Sequence, residues 1–299
     1  MVNPSLYPFA SNWWEKDGLK LHYVDEGQGS PVVMVHGNPT WSFYYRNAIK
    51  MLRSTHRCIV PDHIGCGLSD KPDDSRYGYR LKDRIDNLEG LLESLNLKEP
   101  ITLMVHDWGG MIGMGYAIRH PEKIKKLAIF NTAAFHLPSS KAFPLALRLG
   151  RDTWLGALMI RAGNAFCRVA ARVCVKRKPL EKDVKAGYLE PYNSWKNRIA
   201  TLRFVQDIPL KPEDPSYADV EKIAQNLKQF QSIPMLICWG IKDFVFSEHF
   251  LLEWQKRFPT AEVHRFEDAG HYILEDAWDE VKVLLQKFIG EGRPAERLA

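Results

Sequence analysis

The sequence has few cysteines, and they are poorly spaced for cross-linking. There are five, Cys58, Cys66, Cys167, Cys174 and Cys238, an odd count with no C-x-x-C pair. A disulfide framework is therefore not expected, and the missing pair also argues against a structural zinc site. No stretch reaches the roughly 18 consecutive apolar residues that a membrane-spanning helix needs. The opening Met1-Val2-Asn3-Pro4 has no basic region followed by an apolar run, so it does not read as a signal peptide. Free thiols and no export signal lead us to expect a cytoplasmic protein. No glycine-rich fingerprint follows the first strand-like run, which excludes a dinucleotide site. No nucleic-acid motif is present, and neither a metal nor a cofactor is signalled.

What is there suits a globular enzyme. A chain of 299 residues is long enough for one large α/β domain with an inserted subdomain. Its formal charge of +5 is uneven. Residues 141–178 hold nine Lys or Arg and a single Asp, a net +8 that leaves −3 for the remainder. A solvated helical face is one reading of this segment; an acidic partner or an anionic lipid surface is another.

Short apolar runs recur, each ending in a polar cluster. LKLHYV (19–24) alternates as a strand does. PVVMV (31–35) leads into His36-Gly37-Asn38-Pro39, and CIVP (58–61) into DHIGCGLSD. ITLMV (101–105) leads into HDWGG, LAIF (127–130) into Asn131, PMLICW (234–239) into GIKD, and 263–266 into EDAGH. Helix-like segments lie between them, at 80–95 and 110–120, the first with Leu81, Ile85, Leu88, Leu91, Leu92 and Leu95 at helical spacing. Unbroken apolar strands alternating with helices predict a mostly parallel sheet covered on both faces, with its site at the C-terminal strand ends. From about Phe135 to Leu227 the rhythm stops. We expect a helical cap over 135–227, set between core segments 1–134 and 228–299.

HDWGG has the form of a strand-to-helix elbow with a carboxylate at its apex. Gly109 and Gly110 leave room for helix and strand to approach. Asp107 there can displace a leaving group from carbon and form an ester, or merely cap the helix that follows. The N–H groups of Trp108 and Asn38 are candidates to stabilise charge beside it. His271 can serve as base. Asp243 can hold its tautomer, although Asp243 also suits a helix cap and Glu267 and Asp268 lie near. Asn131 holds another strand end without charge. The Asn38 side chain and the Trp108 indole can donate to a leaving group that becomes anionic; Trp41 and His106 are weaker candidates, for a place behind these residues rather than against the substrate. Trp154, Phe166, Trp195 and Phe204 in the cap predict an apolar pocket if they face inward, and Tyr188 and Tyr192 can orient a substrate oxygen if they reach it. Asp70 and its loop read as structural.

HGNPTWSFYYR (36–46), DHIGCGLSDKP (62–72), HDWGG (106–110), WGIKD (239–243) and AGH (269–271) together resemble the haloalkane dehalogenase superfamily of the α/β-hydrolase fold. The likeness runs over most of 19–289 and is weakest in the cap. It implies Asp107 as nucleophile, His271 as the histidine, Asp243 as the acid, and Asn38 and Trp108 as leaving-group donors. NTAAFHLP (131–138) and YNSWKNRIATLRFVQDIPL (192–210) are similar to the β-lactone decarboxylases of bacterial long-chain olefin biosynthesis. That resemblance implies conversion of a cis-3,4-dialkyl-oxetan-2-one to a cis-alkene and carbon dioxide, a hydrophobic long-chain substrate, and a multienzyme assembly with the pathway's other enzymes. Haloalkane dehalogenase, epoxide hydrolase and a degenerate, non-catalytic assembly module are the competing readings.

Overall fold

In the computed structural model, which describes residues 2–290, eight strands form one sheet. They are β1 (Asn12–Lys16), β2 (Leu19–Glu26), β3 (Pro31–Val35), β4 (Arg57–Pro61), β5 (Ile101–Asp107), β6 (Ile124–Thr132), β7 (Met235–Gly240) and β8 (Glu262–Phe266), in the spatial order β1-β2-β4-β3-β5-β6-β7-β8. From β4 to β8 neighbouring strands run parallel; β1 and β2 join antiparallel at one edge. This is the α/β-hydrolase arrangement anticipated above.

The apolar runs are continuous because both faces of the sheet are covered. Along β3, Val33 and Val35 join one apolar cluster while Val32 and Met34 join the other. The twelve helices among the described residues are α1 (Arg46–Leu52), α2 (Leu81–Ser94), α3 (Trp108–Ala117), α4 (Leu145–Asp152), α5 (Trp154–Arg161), α6 (Ala165–Val173), α7 (Lys182–Leu189), α8 (Ile199–Gln206), α9 (Tyr217–Asn226), α10 (Glu248–Arg257), α11 (Ile273–Asp276) and α12 (Trp278–Ile289). The stripe read from 80–95 becomes α2, which buries Leu81, Ile85, Leu88, Leu91 and Leu92 beside α3. On the opposite face α1 and α12 supply Ala48, Ile49, Val281 and Leu285.

Two features depart from the expectation. β1 has no counterpart in the sequence reading, because an edge strand with most of its side chains exposed shows little apolar patterning. Its signal is the Asp17-Gly18 pair, both with positive φ, which makes the two-residue hairpin turn into β2. Between β6 and β7 the described chain is helical, but α9 lies against α3, and its Val220 and Ile223 belong to the core cluster. The cover over the strand ends is thus built from α4 to α8. Of segment 228–299, residues 291–299 lie outside the described residues.

Candidate active site

Asp107 closes β5 and takes the N-cap position of α3 with a positive φ, +53°, and ψ −127°. Such a residue costs about 1–3 kcal/mol and persists only where its surroundings fix it. Here the Thr132 hydroxyl donates to the Asp107 carbonyl, at the place where the β5–β6 register shifts. A Cβ on Gly109 would collide with the Val35 carbonyl, so only glycine lets α3 start this close to β3. Gly37 serves a similar purpose: a Cβ there would collide with the Asp107 carboxylate. Its φ is not positive, so close approach rather than a special turn requires glycine at this position.

The carboxylate does not cap the helix; it makes no side-chain cap bond. It faces the other way, where the Asn38 N–H donates to Oδ1 at 2.5 Å and His271 Nε2 lies 3.4 Å from Oδ2. The Trp108 N–H makes no bond to it.

His271 Nδ1 is 2.7 Å from Asp243 Oδ2. Asp243 holds His271 as expected but caps no helix, since α10 begins at Glu248 behind Ser247 and the second oxygen closes a turn in the loop between. Oδ2 takes His271 and the Asn131 amide at 3.0 Å, while Oδ1 accepts from the N–H groups of Val245 and Phe246 at 2.7 and 3.1 Å. Asn131 is locked in turn by a reciprocal pair with the Gly240 main chain. The sequence marks it only as an uncharged residue at a strand end; its partners stand 109 and 112 residues away. Glu267 and Asp268 take no part, being paired outside with Arg265 and Arg177.

Burial alone would keep His271 neutral. Asp243, and then Asp107, outweigh it and push the imidazole up to about 10. His106 lies behind, its Nε2 on the His271 carbonyl at 2.9 Å. Burial, reinforced by the charge on His271, pushes it down to about 3, so one histidine of the pair carries charge and the other does not.

Above Asp107 and His271 lies a cavity of about 290 Å³ between the strand ends and the cap. Its walls are apolar side chains such as Met111, Phe135, Leu147, Ile160, Phe166 and Phe246, with Asn38 and Trp108 at the polar end. One N–H of the Asn38 side chain is engaged with the Thr201 carbonyl of α8 at 3.1 Å, and its Oδ1 has no partner among the described residues. The Trp108 ring rests on Phe204, under which Arg84 stacks at 3.7 Å.

Other candidates sit elsewhere. Trp154 and Trp195 face outward. Trp41 ties β3's following loop to the Gly187 carbonyl. Tyr188 bonds Glu275 and Tyr192 bonds the Thr40 carbonyl, and no tyrosine lines the cavity among the described residues. Asp70 accepts from the Lys20 N–H. The same loop carries Asp62, where burial would raise the carboxyl but His22 and surrounding donors hold it at about 2; that loop is structural.

A carboxylate at a strained elbow, an imidazole held by a second carboxylate, and donors beside an apolar cavity can support attack on carbon. Residues 30–277 match the family model for the alpha/beta hydrolase fold, and the chain belongs to that family. Within it, the chain is 61% identical to a cis-3-alkyl-4-alkyloxetan-2-one decarboxylase of Shewanella oneidensis, over 96% of this chain and 90% of that one. It is 46% identical to the protein of that name from Xanthomonas campestris, over 92% and 93%. Among solved structures, haloalkane dehalogenase DbeA from Bradyrhizobium elkani superposes with a TM-score of 0.82 at 25% identity, covering 94% of this chain and 97% of that one.

Proposed function

We propose that the protein converts a cis-3-alkyl-4-alkyloxetan-2-one to a cis-alkene and carbon dioxide, with Asp107 as nucleophile. The observation that carries this reading is the 61% identity, over nearly the whole chain, to a decarboxylase of that substrate. The apolar cavity ending at a carboxylate and two neutral donors supports it.

An Asp107 oxygen attacks the ring carbon that bears the lactone oxygen, breaking that C–O bond and releasing a carboxylate beside Asn38 and Trp108. The C–C bond to this carboxylate then breaks. Its electron pair forms the double bond and expels Asp107 as carbon dioxide leaves. Inversion at the attacked carbon followed by anti loss keeps both alkyl groups on one side, hence the cis product. No water is consumed. No step takes a proton from His271, which Asp243 and Asp107 hold charged in the resting site. A dehalogenase would instead need His271 as a base, which becomes available once esterification removes the charge of Asp107. The positions of Tyr188 and Tyr192 count against an epoxide hydrolase. Five unpaired buried thiols support a reducing, cytoplasmic setting.

The test is product analysis on a cis-dialkyl β-lactone and a long-chain 1-haloalkane in parallel. We expect cis-alkene and carbon dioxide from the lactone, reduced at least about 10⁴-fold in Asp107→Ala. Alcohol and halide from the haloalkane, with the lactone untouched, would overturn the reading.

A further inference from the structure

The outer face of α4–α6 is built unlike the rest of the surface. α4 exposes Leu145 and Leu149, one turn apart, at 70% and 50%. α5 exposes Trp154 at 79% and Met159 at 62%, with Leu155 and Leu158 beside them. The three helices pack on one another in sequence, so these side chains form one patch. Scattered exposed leucines need no explanation, but a contiguous apolar patch with a charged rim marks an interaction surface.

The rim is basic. Arg148, Arg168 and Arg172 are exposed and make no ion pair with any described residue. The segment's one acid, Asp152, is bonded to Arg151. Outward-facing Trp, Leu and Met among unpaired arginines are the chemistry that seats a protein at an anionic membrane interface. The cavity also opens here. Ala146 of α4 and Val169 of α6 line it and are at the same time exposed, and Phe244 across the opening is 44% exposed. Among the described residues no helix is long and apolar enough to cross a membrane, so contact would be with one leaflet.

We propose that the α4–α6 face docks on an anionic lipid leaflet and sets the cavity mouth against it, so that an apolar substrate passes from the bilayer to Asp107 without crossing water. The docking rests on the patch alone; the delivery role rests on the function proposed above.

The test is flotation of the full-length protein with phosphatidylglycerol–phosphatidylcholine vesicles. Binding is expected, and it should weaken about tenfold or more on phosphatidylcholine alone or in about 1 M salt, where charges are screened beyond ~3 Å. A variant combining Trp154→Ser, Leu158→Ser and Met159→Ser, and a second combining Arg148→Gln, Arg168→Gln and Arg172→Gln, should each lose about tenfold or more. Both should turn over a short-chain, water-soluble substrate as the parent does. If a variant proves misfolded by circular dichroism, the salt and lipid series on the parent still decides. Absence of vesicle binding, binding indifferent to lipid charge and to both variants, or a dimer that the apolar variant abolishes would overturn the proposal. Vesicle binding as expected by a protein that leaves the lactone untouched would retain the docking and remove only the function.

Discussion

The floor of the cavity and its roof are made on opposite terms. In the floor the groups that hold His271 and the backbone of Asp107 are answered, while Asn38 Oδ1 at the cavity end is left without a partner among the described residues. Asp243 has four donors for its two oxygens, Asn131 is bonded on both sides of its amide, and the strained backbone of Asp107 is held by Thr132. In the roof, leucines, a tryptophan and three arginines face outward, the arginines with no ion pair to any described residue. A saturated hydrogen-bond network fixes one geometry, because moving any member leaves a buried group unpaired. An unsaturated surface fixes nothing within the molecule and gains only from contact. The same chain thus places its paired polar network beside the reacting carboxylate and its unpaired apolar surface on the cap.

The largest break in this contrast should come from Asp243→Asn. The replacement amide cannot accept from His271, Val245, Phe246 and Asn131 together, and the charge that holds the imidazole up to about 10 is removed. Turnover is expected to fall by about 10³–10⁴-fold, with the His271 titration, followed by NMR, moving down. A retained high value would mean that Asp107 alone supports it.

A smaller effect is expected from pH. His271 titrates near its ordinary 6.5 when unfolded and near 10 when folded. A raised folded value contributes stability that is complete below about 6.5 and lost as pH rises through about 10. The melting temperature should therefore decline across that window, and His271→Gln should flatten the decline. Equal slopes in parent and variant would assign the loss to other groups.

The smallest effect belongs to the roof. Leu158→Ser in solution should change stability by less than about 0.5 kcal/mol, since it removes an exposed side chain. A larger loss in a denaturant titration would show that the patch packs against something within the molecule and would blur the contrast.

Much of the floor was legible because each of its parts follows an apolar run. Asp107, Asp243, His271 and Asn38 could be found singly from the cluster that ends each strand, and the fold gathers them. What joins them could not be read. Nothing local links Asn131 to Asp243 across 112 residues, and the need for glycine at position 37 comes from a carboxylate 70 residues on. β1 was illegible because an exposed edge carries weak patterning. In the roof the sequence offered aromatic residues without their direction; Phe166 turns inward while Trp154 turns out, although both stand in apolar helices.

Two carboxylates around one imidazolium leave the floor with a net negative charge before anything binds. A fatty acid, which brings its own carboxylate, meets like charge at the end of the cavity. A lactone of the same length arrives neutral and becomes anionic only after the ring has opened. On the function proposed above, negative charge on the substrate thus appears beside this floor only at the step that opens the ring.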